Sequence, residues 1–193
     1  MKAISGRKVL VIGDVGVDRY TTGLVERISP EAPVPIVLVE EEKLKLGLAA
    51  NVADNVQALG GVPLLVGVVG KDRAAQDFRG LLRSAGIRPT HLVTDPKRRT
   101  VLKERIVSES QQLLRVDYET HGQISGRAHR DCLAEVKRLV SRVDAVVIED
   151  YAKGLVTEKF AEIVRKTVAA SGKILSADPN AKSPASLYRG TIS

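Results

Sequence analysis

Two carboxylates, Asp14 and Asp18, follow closely on a short aliphatic run, Lys8 to Ile12, that ends at Gly13. An ionised carboxylate only accepts hydrogen bonds, so two of them at fixed spacing suit a ligand rich in hydroxyl groups. Each also reads as a turn acid or a helix cap. Gly47 lets a ligand approach the backbone closely. Asn51, on the first turn of the helix that follows, offers both a donor and an acceptor, and also reads as an ordinary cap.

Other chemistries fail on spacing. A dinucleotide fingerprint needs G-x-G-x-x-G after the first strand, but Gly13 and Gly16 are followed by no third glycine. A Walker A loop fails because Gly70-Lys71 is followed by Asp72 and Leu65 stands where its first glycine belongs. His129 and Cys132 share a helix face, yet two ligands do not make a zinc site. His91 and His121 have no obvious partner.

The elements that must position these residues follow from period and punctuation. Short aliphatic runs predict buried strands at Lys8–Ile12, Leu64–Val69, Ala145–Ile148 and Lys173–Ala177. Val34–Glu42, bounded by Pro33 and Pro35, suits an edge strand. Leu48, Val52, Val56 and Leu59 recur at helical spacing before Gly60-Gly61. Asp72 is placed to cap a helix carrying Ala75, Phe78, Leu82 and Ala85, and Thr157 one carrying Phe160, Ile163, Val164 and Val168. A further helix is expected from about Arg127 to Ser141. Thr100–Val107 and Leu113–Asp117 alternate in polarity, which predicts a hairpin in a half-exposed sheet. Lys97-Arg98-Arg99 reads as a solvated turn.

Strand and helix in alternation predict an α/β fold: a doubly wound, mostly parallel sheet with a small β-sheet lid. The strand C-termini then share one rim, where ligands bind in such sheets. That rim gathers Gly13-Asp14, Gly70-Lys71-Asp72, Glu149-Asp150 and Asp178-Pro179-Asn180. The sheet ends on an uncovered strand, which reads as a fold whose C-terminal part is missing.

Several separated motifs carry a resemblance. Gly13-Asp14-Val15-Gly16-Val17-Asp18-Arg19-Tyr20, Arg27 to Pro35, and Gly47-Leu48-Ala49-Ala50-Asn51-Val52-Ala53 resemble the PfkB/ribokinase-type sugar kinases. Gln111 to Asp117 and Asp150-Tyr151-Ala152-Lys153-Gly154 resemble the heptose 7-phosphate kinase branch of that family. The resemblance implies a kinase that uses ATP and Mg to phosphorylate the anomeric hydroxyl of D-glycero-β-D-manno-heptose 7-phosphate. The 1,7-bisphosphate product lies on the ADP-heptose route to lipopolysaccharide core. Residues 1–193 would be the N-terminal, acceptor-binding portion, with lid segments at about 20–46 and 98–118 that cover the sugar and mediate a homodimer. A kinase for another sugar or nucleoside, or a non-catalytic sugar-binding or dimerisation remnant, is the alternative.

By the same resemblance Asp14, Asp18, Gly47, Asn51 and Asp150 hold the sugar, and Asp178 and Asn180 face the nucleotide. A substrate that already carries a phosphate needs fixed cations, and Lys103, Arg105 and Lys153 are the candidates. Lys103 and Arg105 also read as a solvated strand face. Leu48 stands where the family has a second glycine, and Asn180 where the branch has lysine. Neither G-A-G-D nor Asn-x-x-Glu occurs, so the catalytic aspartate, the anion hole and activity are not expected from this chain alone.

Composition agrees and selects nothing further. Of 193 residues 44% are apolar, which excludes disorder, and the longest apolar runs are too short for a membrane span. A single cysteine, Cys132, excludes an internal disulfide and fits a cytoplasmic protein. The net charge of +7 permits anionic partners such as nucleotides or sugar phosphates, while six aromatics are too few for nucleic-acid stacking platforms.

Overall fold

The computed structural model describes residues 4–109 and 111–192. Its main sheet is parallel and five-stranded: β1 (Lys8–Gly13), β4 (Val62–Val69), β5 (Leu92–Thr94), β8 (Ala145–Glu149) and β9 (Ile174–Asp178), in the order β5-β4-β1-β8-β9. Four helices cover it: α1 (Ala49–Ala58), α2 (Arg73–Ser84), α3 (Gly126–Leu139) and α4 (Glu158–Ala170). Strand alternation sorts the aliphatic side chains to two cores. Val9, Val11, Leu65 and Val69 pack with α1 and α2, whereas Leu10, Ile12, Val66 and Ile148 pack with α3 and α4.

The lid is a four-stranded sheet of order β3-β2-β6-β7, built from β2 (Val15–Ile28), β3 (Pro35–Leu48), β6 (Val101–Ser108) and β7 (Gln111–Tyr118). Ser110, within the expected polar turn of the hairpin, lies outside the described residues. β2 corrects the sequence reading, which placed only an edge segment and a hairpin here. Gly16 and Gly23 obscured it as a strand, yet both are demanded by close approach, since a Cβ would lie 2.7 Å from the Val101 carbonyl at one and 2.1 Å from the Leu38 carbonyl at the other. β3 is the edge strand, as expected, but runs on to Leu48 and leads directly into α1.

Helix ends follow the capping logic. Asp72 accepts from the Ala75 N–H at 2.9 Å and Thr157 from the Phe160 N–H at 3.2 Å. Gly60, at φ +82°, turns the chain after α1, and the Gly61 N–H returns to the Val56 carbonyl. After β9 the chain forms a single 3₁₀ turn, Ala185–Tyr188, and comes back so that Ile192 bonds Leu175 and Ala177. The outer edge of β9 is therefore partly covered, against expectation. The other correction is Arg98: among the basic residues of the 97–99 turn it alone is buried, at 8% exposure.

Asp72 has a second task, because its other oxygen accepts from the Thr100 N–H at 2.8 Å and so ties the root of lid strand β6 to the core. Replacing Thr157 by Ala should cost about 1 kcal/mol, the loss of one cap. Asp72→Ala should cost roughly 2–4 kcal/mol, because a buried N–H also loses its charged acceptor. Urea unfolding of both variants measures the difference, and equal losses would overturn the tie between lid and core.

Candidate functional site

The rim of the main sheet is organised around one buried carboxylate. Asp14 follows β1 and is 5% exposed. It accepts backbone N–H groups from Tyr151 (3.2 Å), Lys153 (2.9 Å) and Leu155 (3.2 Å), all in the loop that follows β8. Burial raises its pKa above the ordinary aspartate value and neighbouring Asp150 adds to the rise, against the three N–H donors. Asp150 is buried too: it accepts from the Ala152 N–H at 2.8 Å and from the hydroxyls of Ser183 and Tyr188. Burial, and then the bond to Asp150, hold the Tyr188 phenol well above its usual range.

Three further features fix the same loop. Arg98 donates to the carbonyls of Lys153 and Gly122. Ala152 lies at φ +53°, a conformation costly for a residue with a Cβ. Gly154, at φ +104°, packs so closely that a Cβ would sit 2.3 Å from the Gly122 carbonyl oxygen. The 150–155 loop is over-determined, as ligand-positioning loops on rigid scaffolds tend to be.

A second unit lies where the lid meets the core. The Asp18 carboxylate pairs with the Arg105 guanidinium across β2 and β6, and a Cβ on Gly47 would lie 2.8 Å from the Asp18 Oδ2. The bare glycine makes room for that carboxylate. Arg105 also stacks on the Tyr20 ring at 5.3 Å, with Lys45 at 5.0 Å from the same ring. Leu48, at the start of α1, holds φ +57° and ψ −137°, a backbone state that suits glycine and costs roughly 1–3 kcal/mol elsewhere.

The expected site residues therefore separate. Lys103 on the lid, Lys153 on the rim loop and Asn180 after β9 face one cavity of about 420 Å³, joined by Lys182, Glu119 and Tyr151. Asp18, Gly47 and Arg105 form the neighbouring lid-root unit. Asp14 and Asp150 are buried, and their carboxylates bond backbone N–H and hydroxyl groups of the protein itself and so organise the loop. Arg105 is committed to Asp18 and Tyr20, and Asn51 is exposed on α1 without capping it. Asp178 lies at the exposed end of β9 beside Glu149.

Sequence reasoning missed Arg98, Glu119, Lys182 and Glu149. Glu149 carried no signal beyond an acid at a strand end. It is 4% exposed, its Oε2 has no hydrogen-bond partner among the described residues, and burial together with Asp178 pushes it up from 4.5 to about 7. Glu119 bonds Lys153 Nζ at 2.8 Å and is nearly buried.

Two outcomes are expected. An acid whose pKa is higher in the folded state binds a proton there first, so stability falls as pH rises from about 4.5 to about 7 and levels off above. Glu149→Gln should remove that fall, worth about 3 kcal/mol at pH 8 and little at pH 5 by denaturant unfolding; a parallel loss in the variant would overturn it. Asp14→Asn should leave at least one loop N–H without an acceptor, cost roughly 1–3 kcal/mol and speed amide exchange at residues 151–155 ahead of the β-core.

Comparison with known proteins gives this rim its family. Residues 6–192 match the pfkB family of carbohydrate kinases. The chain is 43% identical over 181 residues to the bifunctional protein HldE of Caulobacter vibrioides, covering 94% of this chain and 37% of that protein. It is 45% identical over 172 residues to D-beta-D-heptose 7-phosphate kinase of Bordetella bronchiseptica, covering 89% of this chain and 54% of that enzyme. The chain thus spans about half or less of the length of these relatives. In fold it matches Arabidopsis thaliana ribokinase, solved with ribose and ATP, at a TM-score of 0.68 and 14% identity over 96% of this chain and 58% of that one. Phosphofructokinase-2 of Escherichia coli, a tetramer in its inhibited form, gives 0.61 and 14% over 89% and 54%. With its parallel sheet, its β lid and this match over nearly its whole length, the chain belongs to the pfkB family of carbohydrate kinases.

Proposed function

We propose that the chain is the acceptor-binding portion of a kinase for D-glycero-β-D-manno-heptose 7-phosphate. The observation that carries this is the cavity into which a lid lysine, Lys103, and two rim lysines, Lys153 and Lys182, converge. Ammonium groups drawn from separate elements suit a phosphate carried on the substrate, and relatives at 43–45% identity are named for heptose phosphorylation or are HldE. The complete enzyme would move the γ-phosphoryl of ATP to the anomeric hydroxyl. Phosphoryl transfer requires in-line placement and stabilisation of charge on the transferring group, and the residues for it would come from the part of the relatives that this chain does not span.

On the nucleotide side Asp178 is the candidate on this chain, while Asn180, expected there, lines the phosphate cavity. No group of three or more His, Cys, Asp or Glu suited to a metal occurs among the described residues, and magnesium would arrive on the ATP phosphates. The lid would exclude water from the transfer. Its outer half exposes Leu24, Ile28, Leu38 and Val39, apolar side chains spread over both faces of the β2–β3 pair that a second lid would cover in a homodimer. No described helix is long and apolar enough to cross a membrane, and cytoplasmic residence fits the proposed substrate. Leu48 favours a second reading within the family, a different sugar, because a side chain stands at a glycine-type position beside Asp18 and Gly47.

Heptose 7-phosphate should raise the melting temperature and bind by calorimetry. Lys103→Met and Lys153→Met should each weaken binding about tenfold or more, the loss of one charged contact. No change in either variant would overturn the assignment. A coupled assay with Mg·ATP and the sugar phosphate should show no ADP release from this chain, and turnover would overturn the reading of it as an acceptor portion.

A further inference from the structure

The cavity holds one acid among its lysines. Glu119 follows β7, its side chain is 10% exposed, and its Oε1 accepts from Lys153 Nζ at 2.8 Å. Its Oε2 lies 2.7 Å from the same nitrogen, so both oxygens of the carboxylate face one ammonium. An ionised carboxylate has about four acceptor sites, and a single ammonium leaves some of them for a further donor. The position of Glu119 in the wall of a ligand-sized cavity points to a donor on the ligand.

Charge supports the same conclusion. Lys103, Lys153 and Lys182 against Glu119 leave two positive charges in the cavity wall, which matches the charge of a phosphate monoester, about −1.5 to −2 at neutral pH. A phosphate oxygen bound to Lys153 Nζ at about 2.8 Å would lie within a few ångströms of Glu119 Oε2, since both oxygens then share that nitrogen. Close proximity of an acceptor to a phosphate favours a ligand whose hydroxyl is on the carbon next to the phosphate-bearing one. Inorganic phosphate and simple alkyl phosphates lack such a carbon-borne hydroxyl.

We infer that Glu119 is a specificity-determining residue which accepts a hydrogen bond from the hydroxyl vicinal to the substrate's phosphate, so that the cavity selects phosphorylated polyols over other phosphate monoesters. The inference rests on the phosphorylated-sugar reading above and deepens it. In a heptose 7-phosphate the vicinal hydroxyl is the one on C6, so Glu119 reads the stereocentre that separates D-glycero from L-glycero sugars.

The test uses the whole chain with two probes of the same carbon skeleton, glycerol 3-phosphate and n-propyl phosphate, titrated calorimetrically. The wild type should prefer glycerol 3-phosphate by about tenfold to a hundredfold, as one charged hydrogen bond gives. Glu119→Gln should still bind both, with that preference reduced to a few-fold or less. Glu119→Asp, which keeps the charge and withdraws the oxygen, should also lose the preference, and it serves if the Gln variant does not fold. Wild-type protein that binds both probes equally, or a variant that keeps the preference, overturns the role of Glu119 and leaves the phosphate site intact. Binding of neither these probes nor heptose 7-phosphate overturns the site itself.

Discussion

The rim exists in its present form because one charged group is buried where backbone N–H groups can surround it. Asp14 sits at the end of the central strand of the main sheet, and a carboxylate placed there without donors would be strongly destabilising. Its donors are N–H groups of residues 151, 153 and 155. Strand alternation delivers Asp14 to the rim, and the pairing of β1 with β8 delivers the start of that loop beside it. The loop cannot relax without stripping donors from a buried charge, so the position of Lys153 is inherited from Asp14.

The rest of the rim compounds this constraint. Arg98 carries a positive charge inward and meets carbonyl oxygens, the complement of an anion meeting N–H groups. Asp150 draws the segment after β9 back over the rim through two hydroxyl groups. Bonds on this scale can hold unfavourable backbone states such as Ala152 in place. Leu48 is a parallel case at the lid root, where β3 passes into α1, Leu48 pairs with Val15 and the Ala49 N–H bonds the Asp14 carbonyl. Asp14 thereby touches both halves of the molecule, the lid root through its carbonyl and the rim loop through its carboxylate.

What was legible in the sequence is what depends on period and local punctuation. The aliphatic strands, the capped helices after Asp72 and Thr157 and the gathering of acids at one rim follow from neighbours in the chain. β2 was not legible, because its glycines are explained only by carbonyls from residues 38 and 101. The same limit decided the site. Asp14 and Asp150 have the residue type for holding hydroxyls, but whether an acid faces a ligand or a loop depends on who donates to it, and those donors lie far away in sequence. Arg98 looks like a surface cation between two others until Gly122 and Lys153 are brought to it. Lys103 and Lys153 were legible as cations of the lid and rim; that they share a cavity is a fact of tertiary structure.

The outcome is a separation of charge by depth. Acids carrying backbone and hydroxyl donors occupy the sealed layer, while the lysines occupy the open one above it. Burial, with a neighbouring carboxylate adding to it, raises the pKa of Asp14 and of Glu149. Among the described residues, Lys103 and Lys182 make no ion pair with the acids below, and Lys153 pairs with Glu119 in the cavity wall. A dianionic ligand entering between lid and rim would complete that arrangement, and it would do so against groups whose places are already set by the buried layer. Such preorganisation limits the ordering that binding must impose. On the proposed function, the acids would serve recognition by fixing the loop that carries Lys153 and need not touch the ligand.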